Sequence, residues 1–211
     1  IAILFLHSYR NPDHELAAQR FFRRRCPGMF VSTSHELTQE YREFERTSTV
    51  VANAYVGPRV DTYLSEVDAY LEAEAFPGRF LIVQSTGGLF PVEHAKVGCV
   101  RMLESGPAAG VIGAQAICAQ LGMGDAIAFD MGGTTAKLAI VENGAPLIAY
   151  QFEAGRQQRF MEGSGLPINI STIELIEIGA GGGSIASIDA LGLLKVDVLG
   201  LGMLAAIRRA F

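Results

Sequence analysis

The chain has 211 residues, of which 49% are hydrophobic and 18% charged, with a net charge of −5 at pH 7. That size and apolar content predict a well-filled globular core in one large or two small domains, and the acidic balance excludes a general nucleic-acid binder, which needs a basic face toward phosphates. Cys26, Cys99 and Cys118 are scattered without metal-ligand or redox spacing, which favours a reduced, cytoplasmic chain, and no apolar run is long enough to predict a membrane span.

Residues 1–6, "IAILFL", read as a buried strand entered midway, since the run lacks the basic flank and cleavage site of a signal peptide. With Phe211 falling inside a helix-like pattern and no initiator methionine, a fragment is expected. "NPDHELAAQRFFRRR" predicts a helix opened by Asn11 and Pro12 and ended by Pro27 and Gly28, with residues 20–25 as a solvated basic face. "MFVSTS" is a short strand and "HELTQEYREFER" a helix. Residues 47–74 form a long helical stretch that Pro58 kinks or divides.

"RFLIVQS" is a buried strand that turns through "TGGL". "SGPAAGVIGAQAICAQLG" is a helix with Ser105 as a cap or anion contact, Pro107 in its first turn and Gly122 at its end. "AIAFD", the turn "MGGTT" and "AKLAIVE" then read strand, glycine loop, strand. Asn143–Gly144 is a hairpin signal before the strand "APLIAYQFE". A loop leads to the strand "INISTIELIEI", which enters "GAGGGSIASID", again strand, glycine loop, strand. The chain is therefore α/β with local antiparallel hairpins. His7, His14, His35 and His94 share no metal spacing, and His7 beside a strand end is the best ligand candidate among them.

The glycine loops carry the chemistry. No Walker string occurs, and "GAGGGSIA" does not open a helix as a dinucleotide fingerprint must. In "FDMGGTTAKLAI" the glycines join strand to strand, the hairpin solution to phosphate binding. Gly132 and Gly133 let backbone N–H groups converge on phosphate oxygens, and Thr134 and Thr135 add hydroxyl donors. Asp130 at the strand end suits a magnesium ion held through water. Lys137 reaches either a phosphate or solvent. The bland reading is a tight hairpin with an ordinary glycine turn, and the four glycines of "GAGGGS" equally suit a simple bend.

Six motifs in one order, "HSYRNPDHE", "SHELTQEYREFERTSTVVANAYVGP", "QSTGGL", "ESGPAAGVIGA", "FDMGGTTAK" and "EIGAGGGSIA", resemble the hydantoinase A / 5-oxoprolinase family over residues 1–188. The resemblance implies a partial actin-like (ribonuclease H-like) ATPase fold with a mixed sheet. Its parts would be the end of an N-terminal domain (1–47), an ATPase core (48–188) and a separate tail (189–211). It implies ATP and Mg2+ as cofactors, a small-molecule substrate and a hydantoinase B-type partner subunit. The activity implied is opening of a cyclic amide, of hydantoin or 5-oxoproline type, through a phosphorylated intermediate. A ketone carboxylase subunit, or a truncated or chimeric module without catalysis, is the alternative.

By the same resemblance Asp130 is catalytic and metal-binding, and Gly132, Gly133, Thr134 and Thr135 hold phosphate. Gly181, Gly182, Gly183 and Ser184 lie near the nucleotide, while Gly87, Gly88 and residues 105–110 line the cleft. Lys137 stands where the family more often has a carboxylate, and no second D-x-G-G-T loop is present. The tail "ALGLLKVDVLGLGMLAAIRRAF" instead resembles a segment of bacterial DNA polymerase III alpha subunits, with Asp197 at the palm aspartate. This predicts either a chimera joined near 189–194 or an ordinary strand and amphipathic helix.

Overall fold

A computed structural model describes residues 1–157 and 161–182. It divides the chain into two units, residues 1–108 with 148–172, and residues 109–147 with the chain from 173 onward. Gly183, Ser184 and the tail with Asp197 lie outside the described residues.

In the first unit, β1 (Ala2–Ile3) pairs in parallel with β2 (Ser32–Thr33) across α1 (Asp13–Arg25). Asn11 Oδ1 accepts the Asp13 N–H at 3.0 Å. Asp13 and Glu15 in the first turn and Arg23, Arg24 and Arg25 in the last complement the helix dipole. The strand expected over 1–6 shrinks to two residues because the Phe5 N–H donates to Glu15 Oε1 (2.9 Å) instead of to a ladder.

The helix expected over 35–46 is interrupted. α2 (Ser34–Leu37) stops where Thr38 turns extended, and α3 (Glu43–Ala73) begins after Arg42, whose φ is 80°. The Thr38 hydroxyl accepts the Glu40 N–H at 3.3 Å, a local bond that competes with helix continuation. α3 then continues past Pro58 as one 31-residue element, so the proline does not divide it. Gly57 lacks the Cβ that a following proline ring would crowd, and its bare face abuts the Phe30 ring.

β3 (Leu81–Val83) and β4 (Leu89–Pro91) form an antiparallel hairpin around Gly87 (φ 80°), followed by α4 (Val92–Val97). α3 anchors two cores. Val50 packs with Leu37, Val100, Ile168 and Ile170, and Leu64 with Phe90, Val92 and Ala95. α5 (Ser105–Gln120) takes Ser105 as its first helical residue rather than its cap. It ends as expected at Gly122 (φ 69°), with the Met123 N–H donating back to Cys118 O at 2.9 Å.

β5 (Ala126–Met131) and β6 (Ala136–Glu142) form the expected antiparallel hairpin, and β7 (Ala145–Pro146) folds back on β6 through Asn143 (φ 51°) and Gly144 (φ 78°). The single strand expected over 145–153 is divided into β7, β8 (Ile148–Ala149) and β9 (Phe152–Ala154). That expected over 168–178 is divided among the end of β10 (Leu166–Ile168), β11 (Thr172–Ile173) and β12 (Ile176–Ile178). The Asn169 N–H goes to Thr49 Oγ1 on α3 at 2.8 Å and the Ile170 N–H to its neighbour Ile168 O, so neither donates to a ladder. β9 and β10 pair antiparallel within the first unit. In the second unit β12 pairs antiparallel with the free side of β6, giving the order β12-β6-β5.

Candidate functional site

β6 is the centre of the site because both of its edges are occupied. Register places Asp130 of β5 opposite Lys137 of β6, and Lys137 opposite Glu177 of β12. Side chains directly opposite one another share a face, so a charged row of alternating sign crosses the three strands next to the glycine turn. Lys137 Nζ lies 3.7 Å from Glu177 Oε1, and its side chain is mostly buried. Of the two directions open to Lys137 in the sequence, solvent is therefore not the one taken. Asp130 itself is exposed at the end of its strand.

The turn between β5 and β6 is closed by the Gly132 N–H donating to Thr135 O at 3.0 Å, leaving Gly133 and Thr134 at the tip. Both tip residues are exposed. Among the described residues, the N–H groups of Gly133 and Thr134 and the hydroxyls of Thr134 and Thr135 are engaged by no other group.

The second glycine motif comes to the same place. Pairing of Ile178 with Ala136 brings the chain beyond β12 across the turn, and the Gly182 N–H donates to Gly132 O at 2.9 Å. A Cβ at residue 181 would lie 2.5 Å from Gly133 C and Thr134 N and 2.6 Å from Gly132 O. These are backbone atoms that cannot swing aside, so only glycine fits. Two segments 50 residues apart in sequence thus form one cradle of bare backbone. The structure brings together Asp130, Gly132, Gly133, Thr134, Thr135, Gly181 and Gly182. Gly87 and Gly88 shape a turn of the first unit, in which the Gly87 N–H donates to Gln84 O and the Gln84 N–H to Gly88 O, both at 2.8 Å.

The first unit holds a charged cluster that sequence reading missed. Glu15 and Arg46 are fully buried, 3.8 Å apart. Burial would raise the Glu15 carboxyl. Hydroxyl donors from Ser34 and Ser8 and the backbone N–H groups of His35 and Phe5 outweigh it and hold the group down at about 2. His35 Nδ1 lies 2.8 Å from Glu15 Oε2. Arg46 donates through Nη2 to the Ser8 and Ser34 hydroxyls and stacks over the Tyr9 ring at 5.4 Å. The motifs "HSYR" and "SHEL" supply these partners, so shared membership in a polar core was the signal available. Among the described residues no group of three or more His, Cys, Asp or Glu side chains is gathered as a metal site, and His7 faces Tyr9.

An α/β chain with a backbone cradle built on an antiparallel sheet is the class these features define. The hydantoinase/oxoprolinase family profile matches residues 46–202, and the chain belongs to that family. An uncharacterized protein of Methanocaldococcus jannaschii is 40% identical over 96% of this chain and 30% of its own length. The caprolactamase subunit alpha of Pseudomonas jessenii is 33% identical over 93% of this chain and 27% of its own. The nucleotide-free structure of acetone carboxylase shares the fold, with a TM-score of 0.70 at 24% identity, over 89% of this chain and 25% of that one. The chain thus spans less than a third of the length of these relatives.

Proposed function

We propose that the chain is part of an ATP-dependent hydrolase that opens a cyclic amide through a phosphorylated intermediate, and that the β5–β6 turn is a phosphate loop of an actin-like core. The observation that carries this reading is the closure of Gly181 and Gly182 on Gly132–Thr134, which among the described residues leaves the Gly133 and Thr134 N–H groups and the threonine hydroxyls unengaged at an exposed tip. Such a surface suits phosphate oxygens. The relatives support a hydrolase, since the protein sharing 33% identity is named a caprolactamase.

ATP bound here would supply the driving force, converting an amide oxygen that leaves poorly into one carried away as phosphate. The tip N–H groups and the Thr134 and Thr135 hydroxyls would hold its phosphates. Asp130 is a single exposed carboxylate, which suits a magnesium ion that keeps most of its waters. Because the caprolactamase relative is named as a subunit, a hydantoinase B-type partner would complete the enzyme.

Titration calorimetry with ATP and magnesium, on this chain and its Asp130→Ala variant, tests the proposal. Magnesium-dependent heat that weakens at least about tenfold in the variant, a loss of about 1.4 kcal/mol, is expected. Absence of heat with both would remove the nucleotide-binding reading for this chain and favour a non-catalytic module. A ketone carboxylase subunit would instead be recognised by bicarbonate-dependent ATP turnover in the full-length protein.

A further inference from the structure

A cavity of about 510 Å3 opens within the first unit, between the end of α2, the β3–β4 turn and the chain around Asn169. Its volume is that of a small-molecule site. Two opposite charges line it, Arg101 and Glu40, yet they do not pair with each other, and among the described residues neither forms an ion pair elsewhere.

Each charge is nonetheless held in place. Arg101 Nη2 donates to Leu37 O at 2.9 Å, which fixes the guanidinium and leaves four of its roughly five N–H donors for other use. Glu40 Oε2 accepts from Asn169 Nδ2 at 3.2 Å, and Asn169 is fixed in turn by its backbone bond to Thr49 Oγ1. Gln84, Thr86 and Tyr150 complete a neutral, hydrogen-bonding wall.

We propose that this cavity binds a small zwitterion of amino-acid type, its carboxylate on Arg101 and its ammonium on Glu40. The planar guanidinium fork matches a carboxylate, and the compact ammonium donates well to a carboxylate side chain. A ligand with one charge would desolvate the opposite wall without satisfying it, whereas a zwitterion satisfies both walls together. The site lies wholly in the first unit and needs no phosphate, so it stands apart from the nucleotide reading.

Calorimetry on the 211-residue chain without nucleotide, with glycine, 4-aminobutyrate, 6-aminohexanoate, hexanoate and hexylamine, tests this. At least one of the three zwitterions is expected to bind with a dissociation constant at least about tenfold below those of hexanoate and hexylamine, the worth of one charge-assisted hydrogen bond. Glu40→Gln should abolish the preference for zwitterion over hexanoate while leaving the thermal midpoint unchanged, because Glu40 is exposed. Arg101→Gln should weaken every carboxylate ligand. Equal affinity for zwitterions and single ions, unaltered binding in both variants, or no saturable binding of any zwitterion would overturn the proposal.

Discussion

Glu15 shows how much one side chain can organise when it is buried and still ionised. Its two oxygens receive the Phe5 N–H, the Ser8 and Ser34 hydroxyls and the His35 N–H, and so tie together the start of the chain, α1 and the entry to α2. Its carboxyl lies at about 2, below the ordinary 4.5. A depressed carboxyl stabilises the fold fully above its unfolded value and loses that contribution as pH falls from about 4.5 toward 2. Glu15→Gln should flatten the acid-unfolding profile across that window, followed by circular dichroism. At neutral pH it should cost about 3–5 kcal/mol, because it leaves Arg46 buried without its counter-charge. An unaltered acid profile would mean the charge is not what the cluster depends on. None of this was legible from composition, where Glu15 is merely an acidic residue in a first helical turn.

Elements were legible where local chemistry and packing agree. α1 lies where its end signals place it and α5 ends at the expected Gly122, while the β5–β6 hairpin follows its apolar pattern and the β6–β7 turn falls at Asn143–Gly144. They were illegible where a distant partner takes a backbone donor. "INISTIELIEI" has the composition of one long strand, but Asn169 spends its N–H on α3. "HELTQEYREFER" has a helical pattern, but Arg42 adopts a left-handed φ that no periodicity reveals. The meeting of the two glycine motifs depends on β12 pairing with β6, which single motifs do not encode. Two glycines test that closure. Gly181→Ala forces a methyl into backbone and should destabilise the chain by about 1–3 kcal/mol, as overpacking does. Gly113→Ala, mid-helix on α5 with open space around it, should stabilise by about 1 kcal/mol. Urea unfolding of both variants reads the contrast, and equal effects would mean the segments do not close in solution.

On the scale of the molecule, the second unit exposes large apolar side chains on one face of its sheet among the described residues. Ile127, Phe129, Leu138, Ile140 and Ile176 fall on that face by alternation and register, and Ile127 and Phe129 are 69% and 58% exposed. A continuous apolar strip of this kind binds hydrophobic dyes. Anilinonaphthalene sulfonate should fluoresce with the chain and lose most of that signal in the Ile127→Lys, Phe129→Lys double variant; an undiminished signal would locate the dye elsewhere. The opposite face carries the row Asp130, Lys137 and Glu177 beside the glycine turn and the buried Ala139 and Val141 further along β6.

The bond from Gly182 to Gly132 has a consequence of another kind. Glycine-rich loops are entropically expensive to order, at about 1–2 kcal/mol per residue, and a ligand that had to freeze two of them would bind weakly for that reason alone. Here each loop is the other's template. The disorder is surrendered during folding, before any ligand arrives, and an anion bound as proposed would be spared that toll.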